Sequence, residues 1–321
     1  MLSKEKTEAV KTSAPSVVLL AALFLITLAF VAILFHGPED FRVFYVAGSK
    51  VLSGQALSLY DVRSYPPNLP FFRPAWEALV FAPFTLLSYR AAWALWLGIS
   101  LMLFGASVWL LRGEIKSLLL DRDRTLQRFA LVALLLPAGQ ILALGQDTAL
   151  FLLLLVMALR ASVEGRESDA GILFGLASID LHLLLPVLLL MALRRRWEML
   201  SSVALTGLGL FLVSTAVAGP RWVLSCLHVQ FAAPGLIGYE TVRYLLFAAG
   251  LDRFSPMILL VGIAVCFWLV RRLPFDRAAA WLTVAAVALN WHAVFYNYVA
   301  ALPALAPPGG VVTMRTEAGS R

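Results

Sequence analysis

The residues able to do chemistry in this 321-residue chain fall in three places. The first is Asp40, at the head of a stretch in which Phe41, Phe44, Tyr45, Gly48, Val51 and Leu52 recur at three- and four-residue spacing, the period of an amphipathic helix. An acid there either offsets the helix dipole and caps free amides, or acts as a general base that takes a proton from an attacking hydroxyl. Position alone leaves both open. The second place is a pair of polar turns between apolar runs, Gly145-Gln146-Asp147 and Ser178 to His182. Gln146 satisfies turn backbone or touches a ligand, Asp147 serves as a polar group of the turn or equally as a cap of the following helix, and Asp180 to His182 form a satisfied polar turn or point polar groups into a cavity opening outward. The third is a set of cations and aromatics: Arg42, Arg63, Arg73, Arg243, Tyr45, Tyr65 and His292. A guanidinium pairs with two phosphate oxygens at once, which suits an arginine to an anionic substrate. Tyr65 is open to a packing or a binding role. His292 is a packed histidine or, as an ionisable group at membrane depth, a functional one.

The elements that position these residues are apolar helices. Hydrophobic residues make up 61% of the chain and charged residues 14%, with a mean hydropathy of +0.84. That is the balance of a membrane protein, not of a soluble domain. Spans are expected near 16–35, 91–111, 128–144, 148–161, 169–180, 182–193, 199–218, 255–270, 278–292 and 295–308, about ten in all, within a single transmembrane domain covering 1–321. The 148–161, 169–180 and 182–193 stretches are too short to cross a roughly 30 Å hydrocarbon core. Their polar turns must therefore sit below the membrane surface, where irregular backbone is tolerated only in protein or beside a wet cavity.

Loop charge gives the orientation. Arg112, Lys116, Arg122, Arg124 and Arg128 lie in one connection, Arg194-Arg195-Arg196 in another, and Arg271, Arg272 and Arg277 in a third, whereas the turns at 145–147, 178–182 and 290–298 have no Lys or Arg. The cationic loops belong in the cytoplasm, as does the N-terminus. The net charge of +7 is then explained by these loops and anionic lipid headgroups, and no nucleic-acid partner is expected. Cys226 and Cys266 are too few for a disulfide framework or a cysteine metal site; no metal and no cofactor are expected. The apolar run after Lys4, Lys6 and Lys11 is too long for a signal peptide and reads as an uncleaved first span.

The 36–90 segment is the largest outside the membrane, with a first interfacial helix from Asp40, a stiff turn at Tyr65-Pro66-Pro67 and Phe72-Arg73-Pro74, and a second interfacial stretch from Ala75 to Leu87. Its Asp40-Phe41, Tyr45, Ala47, Leu52-Ser53-Gly54, Tyr60, Tyr65-Pro66-Pro67 and Ala82-Pro83-Phe84 resemble the polyprenyl-phosphate-mannose-dependent mannosyltransferases of glycosyltransferase family 87, in the GT-C superfamily. Leu144-Gly145-Gln146, Ala170-Gly171, Gly175-Leu176-Ala177, Asn290-Trp291-His292 and Leu302-Pro303 follow in the family's order.

The resemblance implies an all-α, GT-C-like bundle in a bacterial plasma membrane. It also implies an extracytoplasmic site, a polyprenyl-phosphate sugar donor, a glycan or glycolipid acceptor, and an inverting transfer with Asp40 as base. Arg73, Tyr65, Gln146, Asp180, His182, Arg243 and His292 are the expected substrate contacts. Where the family usually carries a lysine before a proline, this chain reads Ser178-Ile179-Asp180-Leu181-His182. That departure points to a satisfied turn, a changed substrate or lost activity. A lipid transporter or flippase and an inactive scaffold are the alternatives to a transferase.

Overall fold

The structure is a computed structural model that describes residues 39–66, 69–121, 124–232, 242–289 and 295–308. The expected first span at 16–35 and His292 lie outside the described residues. The expected amphipathic helix is α1 (Glu39–Leu52), ended where Gly54 takes the left-handed conformation at φ 74°. Pro74 precedes α2 (Ala75–Phe81), which continues as a 3-10 turn over Ala82–Leu86. There follow α3 (Tyr89–Leu110), α4 (Arg112–Leu120), α5 (Thr125–Ala133), α6 (Leu135–Leu144), α7 (Thr148–Val163), α8 (Glu167–Leu176), α9 (Leu181–Leu193) and α10 (Trp197–Ala218). The last described helices are α11 (Trp222–Ala232), α12 (Val242–Ala248), α13 (Ser255–Val270), α14 (Phe275–Leu289) and α15 (Leu302–Leu305). Among the described residues there is no strand.

Four described stretches are long and apolar enough to cross a membrane: Tyr89–Leu110, Thr125–Leu144, Glu167–Leu193 and Trp197–Ala218. The third does not run straight. As one 27-residue helix it would be about 40 Å long. Yet Arg196, three residues past its end, forms an ion pair with Glu167 at its start, and Ser168 Oγ donates to Glu198 at 2.8 Å. The segment therefore enters as α8, reverses over the 3-10 turn Ala177–Asp180, and returns as α9. This is the pair of half-spans expected from their length.

Small residues let α8 lie directly on α10. A Cβ on Gly171 would meet Met199 O at 2.3 Å, and one on Gly175 would meet Thr206 Cβ at 2.5 Å. The matched advance along both helices makes them parallel, with the Gly-x-x-x-Gly spacing that permits close backbone approach in lipid. Phe151, Leu155, Phe174, Leu183, Val187 and Leu282 fill the core around this hairpin.

At one end of the bundle Arg160 binds Leu110 O, Arg166 pairs with Glu164 and Asp169, and Arg194 donates to Val270 O at 3.2 Å. The turns at 145–147 and 177–180 are at the opposite ends of α7 and α8. There α1 and α2 cross so tightly that a Cβ on Gly48 would come within 2.7 Å of Phe81 backbone. Phe44 stacks on Phe81 with centroids 4.5 Å apart, and Phe41, Phe71 and Trp96 complete this second core.

Candidate active site

The two polar turns and the loop before α2 meet at one arginine. Arg73 is 9% exposed; its guanidinium donates to Asp147 Oδ1 at 3.2 Å, to Ile179 O at 3.0 Å, and to Asp180. Pro74 stiffens the chain behind it, and the Arg73 carbonyl accepts from the Tyr60 hydroxyl at 3.0 Å. Cys226 Sγ, on α11, lies 3.1 Å from the Phe72 carbonyl. One guanidinium thus joins the loop, the 145–147 turn and the tip of the α8–α9 hairpin. The fork geometry of arginine fits this task, because a point charge could not reach three acceptors in fixed directions.

The 145–147 turn is fixed at its other end as well. Trp96 Nε1 donates to Gly145 O at 2.9 Å, and Gly145, at φ 74°, approaches α1 so closely that a Cβ would lie 2.6 Å from Phe41 Cβ. Asp40 is the residue before Phe41, half-buried in the first turn of α1. The turn is thereby seated under the start of the helix that carries the expected base. Trp96 is two turns into α3, so the turn lies on the order of 10 Å along that helix from its start.

Most of the expected site residues are gathered here. Asp180 is fully buried on Arg73, with His182 within electrostatic reach on the first turn of α9. Gln146 is buried at the turn, its Oε1 with no donor from the described residues. Tyr65 is not part of the group: its hydroxyl donates to Leu59 O at 2.6 Å and its ring lies under Lys50 Nζ at 5.0 Å, inside the α1–α2 loop. Burial pushes that phenol's proton affinity up, as it does for Tyr60. Arg63 is exposed and paired with Asp61, and Arg243 is on α12.

Two features escaped the sequence. Asp147 makes no side-chain cap to α7; its carboxylate is turned to Arg73 instead. Glu77, on α2, is 2% exposed and lies against Asp147. Its only sequence signal is an acid inside the apolar run Ala75-Trp76-Glu77-Ala78-Leu79. Burial, its largest influence, lifts the Cys226 thiol to about 11, away from the range of a reactive thiolate.

A bundle of apolar helices with half-spans, holding buried charge beneath two crossed surface helices, is a membrane protein built around a polar site. The family model for glycosyltransferase family 87 matches residues 71–296, more than half of the chain. The chain belongs to glycosyltransferase family 87, and the protein is a membrane glycosyltransferase. The match takes in Arg73, Glu77, Gln146, Asp147, Asp180 and His182, and starts after Asp40. No curated protein and no solved structure matches the chain.

Proposed function

We propose that this glycosyltransferase moves a hexose, mannose in the first instance, from a polyprenyl phosphate to a glycan or glycolipid acceptor on the extracytoplasmic face of a bacterial plasma membrane. About ten spans, a cytoplasmic N-terminus and cytoplasmic cationic loops complete the topology of this reading. Transfer inverts the anomeric centre: the acceptor hydroxyl attacks, Asp40 takes its proton, and the lipid phosphate leaves. The observation that carries the reading is the contact of Phe41 with Gly145, which seats the candidate base over the buried turn of the bundle. Support for the sidedness comes from the gathering of Arg160, Arg166, Arg194 and Arg196 at the end of the helices away from that turn.

In this reading Arg73 holds the site together and does not bind the donor phosphate, since two buried carboxylates already offset its charge and it also donates to Ile179 O. Arg42, exposed on α1, and Arg243 are then among the cations offered to the phosphate, with Gln146 and His182 toward the sugars. An inactive scaffold is the second reading, favoured by Asp180 neutralising the cation where the resemblance implies a lysine.

The test is transfer of labelled sugar from synthetic polyprenyl-phosphate mannose by the purified protein in detergent. Asp40→Asn keeps the shape and the capping capacity but accepts no proton, so kcat is expected to fall by about 10² to 10⁴ while the donor still binds. Glu39→Gln, removing the neighbouring charge, should leave kcat within a few-fold. Near-normal turnover by Asp40→Asn would remove the base, because Asn caps a helix about as well as Asp.

A further inference from the structure

The charge around Arg73 does not balance. Glu77, Asp147 and Asp180 are each at most 2% exposed, and against them stand the Arg73 guanidinium and, beside Asp180, the His182 imidazole. With all three acids ionised the group carries an excess of negative charge in a medium that cannot solvate it. The described residues bring no three acids, histidines or cysteines into a metal-holding arrangement. Asp147 Oδ1 accepts from Arg73, which leaves Oδ2, fully buried and with no donor, beside Glu77. Both oxygens of Glu77 are buried and equally without a donor while the two acids are ionised. Two carboxyls this close become partners once one proton lies between them.

We propose that Glu77 and Asp147 hold one proton in common, with Glu77 as the neutral acid donating to Asp147 Oδ2, and that Glu77 is thereby a positioning residue for the 145–147 turn. The chain Glu77 to Asp147 to Arg73 to Asp180 then runs from α2 to the tip of the α8–α9 hairpin with each link hydrogen-bonded. Asp180, in direct contact with Arg73, closes the far end of that chain. The other titratable groups facing Glu77 are Tyr60 and Cys226, both held neutral by burial. From α10 the Ser214 hydroxyl accepts from Trp76 N at 3.0 Å. Burial, and after it the neighbouring Asp147, raises the proton affinity of Glu77 well above that of an ordinary glutamate. A raised acid of this kind contributes its stability below the ordinary glutamate range and loses it as pH rises through its folded-state value.

The proton itself does not depend on the transfer reading; only the effect on turnover rests on it. In infrared spectra of purified protein carrying ¹³C-labelled glutamate, the wild type should show a protonated glutamate carboxyl at neutral pH that Glu77→Gln lacks. Gln keeps a donor to Asp147, so that variant should fold, transfer sugar near the wild-type rate, and lose the alkaline fall in thermal stability. Glu77→Leu removes the donor, and a displaced turn should lower kcat by about 10²-fold at unchanged donor KM. No labelled protonated band, with Glu77→Gln showing the wild-type fall of stability with pH, overturns the proposal. If the wild type transfers no sugar, the proposed function fails, and the spectrum and the melting profile still decide the proton.

Discussion

Replacing Arg73 by Met separates a group that holds the protein together from one that holds a substrate. Met has similar length and packs as well, but the change leaves Asp147 and Asp180 buried with no cation and Ile179 O without its donor. Removing one member of a buried ion pair costs about 3–5 kcal/mol. Arg73 is 9% exposed and serves two acids, so little of that is lost to solvent screening. A cost of about 4 kcal/mol is nearly a thousandfold in the folded-to-unfolded ratio, and roughly 6 °C in melting temperature for a chain of this size. Cys226 offers the assay, because it lies against the Phe72 carbonyl and is half-buried. In a Cys266→Ala background, a fluorogenic maleimide should react with it only as the site opens on heating. Arg73→Met with Asp180→Asn should recover part of the loss, since one stranded charge is gone. If Arg73→Met melts with the wild type and only its donor KM rises, the guanidinium belongs to the substrate and the positioning role is wrong.

Other outcomes follow from single contacts. Gly171→Ala should destabilise by about 1–3 kcal/mol, because its Cβ would lie 2.3 Å from Met199 O. Gly98→Ala, with nothing within 4 Å of the added Cβ, should be neutral or up to about 1 kcal/mol stabilising; chemical or thermal unfolding reads both. Gly145→Ala meets Phe41 and a left-handed backbone at once, and should lower kcat more than it raises donor KM. An impermeant maleimide on intact cells should label Ser58→Cys and miss Ser117→Cys; equal labelling, or labelling in the reverse sense, would overturn the topology and the site placement of the proposed function.

Helices were legible in the sequence because the spacing of Phe41, Phe44, Val51 and Leu52, and the length of runs such as Trp93 to Leu111, respond to one local rule each. The half-spans were legible for a similar reason: a stretch that is too short to cross must turn back. The centre of the site was not. Arg73 and Asp180 are 107 residues apart and Arg73 and Asp147 are 74 apart, and no periodicity encodes which arginine of several reaches which acid. Asp147 looked like a cap because a helix follows it, and only the tertiary position of Arg73 draws its carboxylate elsewhere. Glu77 was hidden for the opposite reason, since an acid on a surface helix is ordinary until that helix is covered by α1 and α10. Gly171 and Gly175 were visible as small residues, but their purpose depends on α10, which comes later in the chain.

The order of these residues along the chain has a consequence for how the protein is made. Arg73 is synthesised before Asp147, and both before Asp180. A hairpin tip bearing a carboxylate is costly to bring to depth alone. Here each acid arrives to find its counter-ion already in place, so α8 and α9 can settle beside α7 as they emerge, and α10 then closes over Gly171 and Gly175 from the lipid side. The buried arginine is thus also a landing point for the two turns that reach it, and translation delivers it first.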